Sequence, residues 1–472
     1  MTDPGWLSLL PPLLAIALAI RTKQVVLSLF AGIWMGYFIL NDFNPLLGIT
    51  AGLDGVVSVF SSTGSTEVLV FTLLIGSLIA TIEASGGVRG FVHFLESRRY
   101  VHNRIRAQFL AWATGIIIFI ESNITLLVAG SVSRPLFDRY RISREKLAYL
   151  IDSTSAPVCV MIPLNAWGAV IISLIASTDE VDNPLQIFIA SIPYNFYAIT
   201  AILLSAVVIW RNVNIGPMKA AEERTQKGRV TWPTATVMGD VSGKTEGDDS
   251  EQAVAPAYLM TLPILAMVLM MPVGLYVTGD GSLIEGSGSR SILWAVSFAL
   301  VVAWVLQLGR KQRDVNGLMG LFMKGAGGML PIATILLLAL ALGDIASELG
   351  TGPYVAGVVG AAVPEPLLAP LIFLVSAFIA FSVGSSWGTF AIMIPIAVPI
   401  ATTLGLPVPL LLGAAISGGI FGDHASPISD TTVVASMASM TDHIDHVRTQ
   451  LPYALLAAAI AATGFLLLGL FA

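Results

Sequence analysis

Ten consecutive residues, Asp423-His424-Ala425-Ser426-Pro427-Ile428-Ser429-Asp430-Thr431-Thr432, hold two carboxylates, one imidazole and four hydroxyls. They are entered through Gly418-Gly419-Ile420-Phe421-Gly422 and lie within an otherwise apolar stretch. Oxygen ligands without thiolates suit a hard cation such as Na+. A proline-containing break in an apolar helix also frees backbone carbonyls as ligands and leaves half-helix ends whose dipoles face the ion. A second such break is Asp152-Ser153-Thr154-Ser155-Ala156-Pro157, running on to Pro163. Two shorter polar points stand apart from the breaks: Glu121-Ser122-Asn123-Ile124-Thr125, and Gly384-Ser385-Ser386-Trp387-Gly388-Thr389. A carboxylate at membrane depth costs about 2.5–3.5 kcal/mol, which makes Glu121, Asp152, Asp423 and Asp430 functional candidates.

Each has a plainer alternative. Asp423 and Asp430 can cap half-helices, Asp152 can pair with Arg144 or Lys146, and Glu121 can sit at a watery turn. His424 reads equally as a proton relay or a hydrogen-bonding partner. His443 and His446, in the charged stretch from Asp442 to Arg448, read as solvated surface residues, and Glu83 and Asp344 as capping or pairing groups. Aromatic residues such as Trp6, Trp34 and Tyr37 fit an interfacial belt.

These residues must be positioned inside a membrane. Of 472 residues 55% are hydrophobic and only 11% charged, against about 25% charged in a typical soluble chain. Mean hydropathy is +0.82 and the isoelectric point about 5.4. A water-soluble enzyme, a disordered chain and a nucleic-acid binder are excluded. One cysteine, Cys159, leaves neither a disulfide framework nor a cysteine-ligated metal site. No HExxH, GxSxG or Cys–His arrangement supports a membrane hydrolase, and no cofactor is expected.

Apolar stretches long enough to span run over 6–20, 24–40, 66–84, 147–177, 186–210, 256–278, 291–309, 326–347, 408–440 and 451–471. The first is preceded by Asp3 and lacks a small-residue cleavage site, so it reads as a retained helix. Basic residues mark the cytoplasmic side. Arg98, Arg99, Arg104 and Arg106 precede the apolar segment 107–133, and Arg134, Arg139, Arg141, Arg144 and Lys146 follow it. Both ends of that segment are therefore cytoplasmic, and it reads as a re-entrant hairpin turning near Glu121-Ser122-Asn123. From 325 to 447 there is no Lys or Arg, as expected of a second hairpin, 367–405, dipping from the outer side and turning near Gly384-Ser385-Ser386. The segment 211–255 reads as a disordered cytoplasmic tether between two membrane halves.

The halves repeat. Glu83 and Asp344, Glu121 and Gly384, and Pro163 and Pro427 occupy matching places at separations of 261, 263 and 264 residues. Five spans and a hairpin per half give an odd number of crossings, so the second copy is inverted. The expected fold is an all-α polytopic membrane protein. Its first repeat is 1–210, with a hairpin at 107–133 and a broken helix at 147–177. Its second is 256–472, with a hairpin at 367–405 and a broken helix at 408–440. Inverted repeats with broken helices are secondary-transporter architecture.

Three segments carry a resemblance: SRPLFDRYRISREKLAYLIDSTSAPVCVMIPLNAWGA (133–169), SSWGTFAIMIPIA (385–397) and SGGIFGDHASPISDTT (417–432). Through them the chain resembles the NhaC-type family of sodium/proton antiporters, within a wider superfamily of inverted hairpin carriers. The resemblance implies an elevator-type exchanger of Na+ or Li+ for H+, a homodimer in the cytoplasmic membrane. It also implies ion-binding roles for Asp152, Ser153 and Thr154, and for Ser385, Ser386, Thr389, Asp423, His424, Ser426, Ser429, Asp430 and Thr431. At the first hairpin tip the family commonly has two aspartates followed by Tyr-x-Asn, where this chain has Glu121-Ser122-Asn123-Ile124-Thr125. The Ser-Asn-x-Thr also resembles hairpin tips of sodium-coupled carboxylate carriers. Na+- or H+-coupled carriage of a small carboxylate or amino acid is therefore the second reading.

Overall fold

The structure, a computed structural model, describes residues 5–471 except 23, 89, 92–102, 120–121, 179, 231–254, 283–285, 352–353, 355–356 and 359–362. Glu121 lies outside the described residues. Those described form helices and their connections, with no strand among them. After a short 3-10 turn come α1 (Leu10–Thr22), α2 (Val25–Leu40), α3 (Pro45–Ser58) and α4 (Thr63–Ala84). Next are α5 (Arg104–Ile117), α6 (Ser122–Arg139), α7 (Arg144–Asp152), α8 (Ala156–Cys159), α9 (Ala166–Ala176), α10 (Pro184–Ser191) and α11 (Phe196–Arg211). Helix α12 (Pro217–Gln226) precedes α13 (Tyr258–Thr278), α14 (Gly288–Gly309) and α15 (Val315–Glu348). The chain closes with α16 (Leu368–Val383), α17 (Ser386–Leu404), α18 (Val408–Ala425), α19 (Asp430–Ser439) and α20 (His443–Phe471).

Among the described residues eight helices are long and apolar enough to cross a membrane, and two bent pairs raise the total to as many as ten. One bent pair is α2 and α3, turning through 119°. Sequence reading placed no element at 45–58. Asn44 caps that helix by accepting from the amides of Leu46 and Leu47, and Pro45 opens its first turn. Gly48, Gly52 and Gly55 then recur on the face turned to α2, where a Cβ on Gly55 would stand 2.3 Å from the Tyr37 hydroxyl oxygen. Small residues let the two backbones approach.

The same device fixes a crossing between two sequence-distant helices. α4 crosses α15 at Gly76 and Gly325, where a Cβ on either would come within 2.4 Å of the other's carbonyl oxygen. Ser77 Oγ donates to the Phe322 carbonyl at 2.9 Å beside the crossing.

Buried apolar residues fall into two clusters. The larger runs through α4, α9, α15, α17 and α18. The smaller joins α5, α6, α7, α19 and the start of α20 through Ala107, Leu126, Phe137, Leu150, Ala435 and Tyr453.

The expected tether 211–255 needs correction. Its first part folds into α12, with Met218 and Ala221 fully buried. Glu222 takes the Arg104 guanidinium at 2.6 Å and the Ser143 backbone amide at 2.7 Å. Arg224 holds Glu145 through both carboxylate oxygens at 2.7 and 3.0 Å. Tyr453 Oη accepts from the Ile215 amide at 2.7 Å. The short helix is therefore bolted to α7 and α20. What a hydropathy reading sees as polar linker is a surface whose charges are matched by the basic loop. Removing one partner of a buried ion pair leaves an uncompensated charge and costs about 3–5 kcal/mol. Arg224→Met should accordingly lower the melting temperature of the detergent-solubilised protein by several degrees, read by intrinsic fluorescence. An unchanged melt would mean that the docking of α12 is not stabilising.

Candidate functional site

A proline stands in each break. The residue before proline is pushed out of the helical region, and Ser426, before Pro427, is extended at φ −79°, ψ 131°. Helix α19 restarts at Asp430, capped by Ser429, whose hydroxyl accepts from the Thr432 amide at 3.3 Å. In the first half α7 ends at Asp152, and Pro157 opens α8. Helix α7 itself is started by Ser143, which caps the Lys146 amide.

The second polar point, 384–389, meets the second break. Gly384 has φ +72°, and a Cβ there would lie 2.6 Å from the Ile428 carbonyl oxygen. Ser426 Oγ donates to the Phe381 carbonyl at 2.8 Å. Ser386 Oγ donates to Asp423 Oδ2 at 2.8 Å, while Thr389 Oγ1 turns back to the Ser385 carbonyl at 3.0 Å. Ser429 and Thr431 share a hydroxyl–hydroxyl bond of 3.0 Å. Asp423 is 2% exposed, and its Oδ1 is buried without a hydrogen-bond partner. A buried, unsatisfied carboxylate oxygen is costly, and a proton, a cation or a donor such as water relieves it.

The two breaks also meet each other. Asp152, 1% exposed, accepts at Oδ2 from Thr432 Oγ1 at 3.2 Å and from Gln450 Nε2 at 2.8 Å. Ser153 Oγ lies 3.5 Å from His424 Nε2, and Tyr197 Oη holds His424 Nδ1 at 2.6 Å. The salt bridges considered for Asp152 are absent: Arg144 goes to Asp138, and Lys146 to Asn212 and Asn214. Asp430 stands exposed at the start of α19, within electrostatic range of both Asp152 and Asp423.

The first polar point lies on the other side of α7 and α8. Helix α5 ends at Ile117 and α6 begins at Ser122. Thr125 Oγ1 donates to the freed Ile118 carbonyl, and Asn165 Nδ2 takes the Phe119 carbonyl at 2.9 Å. A Cβ on Gly115 would stand 2.0 Å from Thr154 Oγ1, so α5 rests directly on the first break. Ser122 is buried and Asn123 half-buried. Of the residues picked out from sequence, Asp152, Ser153, Asp423, His424 and Ser386 thus converge. Ser122, Asn123, Thr125 and Thr154 form a flank beside Asn165. Ser385, Thr389, Ser426, Ser429 and Thr431 build the frame of the second break. Among the described residues no three carboxylate, imidazole or thiol groups approach closely enough to hold a metal ion by themselves. An ion here would need one carboxylate supplemented by hydroxyl and carbonyl oxygens.

Glu83 and Asp344 are exposed. Glu67 pairs with Arg290 at 2.9 Å. The aromatic reading needs one correction: Trp167 is buried and lies 4.3 Å, centroid to centroid, from Trp387. Sequence reasoning missed Tyr197, Gln450 and Asn165. Gln450 carried one usable signal, a lone amide at the mouth of an apolar helix.

The sequence profile of the Na+/H+ antiporter family matches residues 158–470. The chain belongs to that family. It is 33% identical, over 98% of its length and 90% of the relative's, to an uncharacterized protein of Haemophilus influenzae. It is 30% identical to the arginine/ornithine antiporter ArcD of Halobacterium salinarum, over 45% of this chain and 41% of that one. In fold it is similar to the Alcanivorax borkumensis YdaH transporter, with a TM-score of 0.59 at 14% identity, over 89% of this chain and 88% of that one. Membership of the antiporter family and the apolar helices make this antiporter-family chain a multi-pass membrane protein and a secondary transporter.

Proposed function

We propose that the protein exchanges Na+ (or Li+) for H+ across the cytoplasmic membrane, with 211–255 on the cytoplasmic side. The carrying observation is the buried Asp423 carboxylate, one oxygen held by Ser386 and the other unpartnered. Either a proton or Na+ satisfies that oxygen, and the two exclude each other. Competition for one acid couples opposite fluxes without a second site. In this reading Na+ or the proton sits on Asp423 with neutral oxygens of the second break, and Asp152, already accepting two hydrogen bonds, is the neighbouring carboxyl through which the proton reaches and leaves that acid. Glu121 would act at the first tip. Inverted repeats bounded at 1–210 and 256–472, re-entrant hairpins at 107–133 and 367–405, and a homodimer with elevator-type movement complete the proposal; the separate small core around α5, α6, α7 and α19 supports a unit able to move together.

Purified protein in liposomes loaded with a pH-sensitive dye should dequench on Na+ addition. Because a proton and Na+ compete, the apparent KM for Na+ should rise about tenfold for each pH unit below the apparent pKa of the site. No response to Na+ or Li+ between acid and alkaline pH would sink the proposal.

A second reading has one observation of its own. An ammonium group would satisfy the Asp423 oxygen as Na+ does, and the relative ArcD is named for arginine and ornithine. Stabilisation in thermal melts by amino acids or small carboxylates, but not by Na+ alone, would favour coupled carriage of an organic substrate.

A further inference from the structure

His443 and His446 open α20, in the stretch read from sequence as a solvated loop; His446 is instead 0% exposed. Its Nε2 meets Gln450 Oε1 at 2.9 Å and its Nδ1 meets Ser436 Oγ at 2.8 Å. His443, half-buried at the surface, meets the same Ser436 Oγ through Nδ1 at 3.0 Å and the Pro427 carbonyl through Nε2 at 2.7 Å. Gln450 Nε2 reaches Asp152 Oδ2 at 2.8 Å and the His424 carbonyl at 2.8 Å. An unbroken line of contacts thus runs from a partly exposed imidazole to the buried Asp152.

Gln450 faces two acceptors, Asp152 Oδ2 and the His424 carbonyl, with one end, so that end is its amide nitrogen and its oxygen faces His446. His446 must then carry hydrogen on Nε2. The Pro427 carbonyl likewise requires hydrogen on Nε2 of His443. Two neutral imidazoles in these tautomers would both present a bare Nδ1 to Ser436, which has a single hydrogen and also lies 2.8 Å from the Thr432 carbonyl. The array is one proton short, and an added proton on either Nδ1 completes it.

We propose that His443, Ser436 and His446 form a proton relay that holds one excess proton and passes it between the surface and Asp152. A proton on His443 Nδ1 moves to Ser436 Oγ as the Ser436 hydrogen moves to His446 Nδ1. His446 must swing its Nε2 hydrogen off Gln450 Oε1 and close the 3.9 Å to Asp152 Oδ2; it then releases that hydrogen and is left neutral with hydrogen on Nδ1. No electron changes hands and the proton count balances. The charged and titratable groups around the pair are Asp442, Asp445 and Arg448 on its own turn, Glu145 of α7 with its Arg224 partner of α12, Asp152, and His424 of α18. The relay rests on the proposed proton exchange at the site.

Ser436→Ala and His446→Gln in liposomes test it, with two transport measurements on each. Na+-driven proton movement should fall at least tenfold, while tracer Na+/Na+ exchange, which needs no proton, should stay within twofold of wild type. Equal loss of both reactions, or loss of neither, overturns the relay. His443→Asn, at the surface end, serves where His446→Gln fails to fold and should give the same split. A wild-type protein without Na+/Na+ exchange would sink the sodium reading instead. Nitrogen-15 spectra of labelled histidine then decide the relay alone: one imidazolium near neutral pH, lost in Ser436→Ala, is expected, and two neutral rings in the wild type overturn it.

Discussion

Asp423→Asn should bring Na+-driven proton movement down to the level of protein-free liposomes while leaving an intact, monodisperse protein. The asparagine oxygen can still accept from Ser386 Oγ, which donates to Asp423 Oδ2 at 2.8 Å. Its amide nitrogen then replaces the unpartnered Oδ1, a buried donor without an acceptor that costs about 1–3 kcal/mol. That is a modest burden on folding. The transport loss is of another order, because the neutral amide neither attracts a cation nor takes up a proton. A fall of at least about 100-fold, equivalent to about 2.7 kcal/mol, is expected, with size-exclusion elution unchanged. Asp430, exposed at the entrance to α19, should lose far less on the same substitution. Full activity in Asp423→Asn would remove Asp423 from the site.

Gly422→Val should instead abolish the folded protein. Gly418 and Gly422 stand one turn apart on α18 and press on α16. A Cβ on Gly422 would lie 2.2 Å from the Ala377 carbonyl oxygen and 2.7 Å from the Phe381 backbone nitrogen; one on Gly418 would lie 2.2 Å from the Phe373 carbonyl oxygen. The obstacles are backbone atoms of an intact helix turn, so no side chain can swing aside. Ordinary overpacking costs about 1–3 kcal/mol; with rigid obstacles the two helices must part by an ångström or more, and the cost exceeds that range. The shift would also carry Asp423 away from Ser386. Aggregation on size exclusion is the expected result, with no transport in any folded remainder. A monodisperse Gly422→Val protein with a wild-type melt would show that the crossing tolerates separation.

What the sequence displayed and what it hid differ for physical reasons. Hydropathy marks long apolar helices whatever they pack against, so α4, α13, α14 and α15 stand out. Proline and clustered oxygens mark breaks, so Asp152-Ser153-Thr154 and Asp423 to Thr431 are visible without coordinates. Helix α3 escaped because its 14 residues fall short of the about 20 that a span needs, and its packing on α2 through Gly48, Gly52 and Gly55 shows only in three dimensions. Helix α12 escaped because its stability lies in Glu222–Arg104 and Arg224–Glu145, pairs whose members are more than 75 residues apart and read singly as surface charge. Tyr197 and His446 were hidden in the same way: one hydroxyl in an apolar span, and one imidazole in a charged run, declare their partners only in three dimensions.

The close pair Trp167 and Trp387, tilted by 35°, has an optical consequence. Trp387 follows Ser386, whose hydroxyl holds Asp423, and Trp167 belongs to the other half of the chain. Indoles this close couple their electronic transitions, and the sign and strength of that coupling depend on the angle between the rings. Were the carboxylate to change its occupant as proposed, any tilt of the serine would be transmitted one residue along to an indole. Near-ultraviolet circular dichroism of the unlabelled protein should therefore change with Na+ and pH, and Trp167→Phe should erase that change.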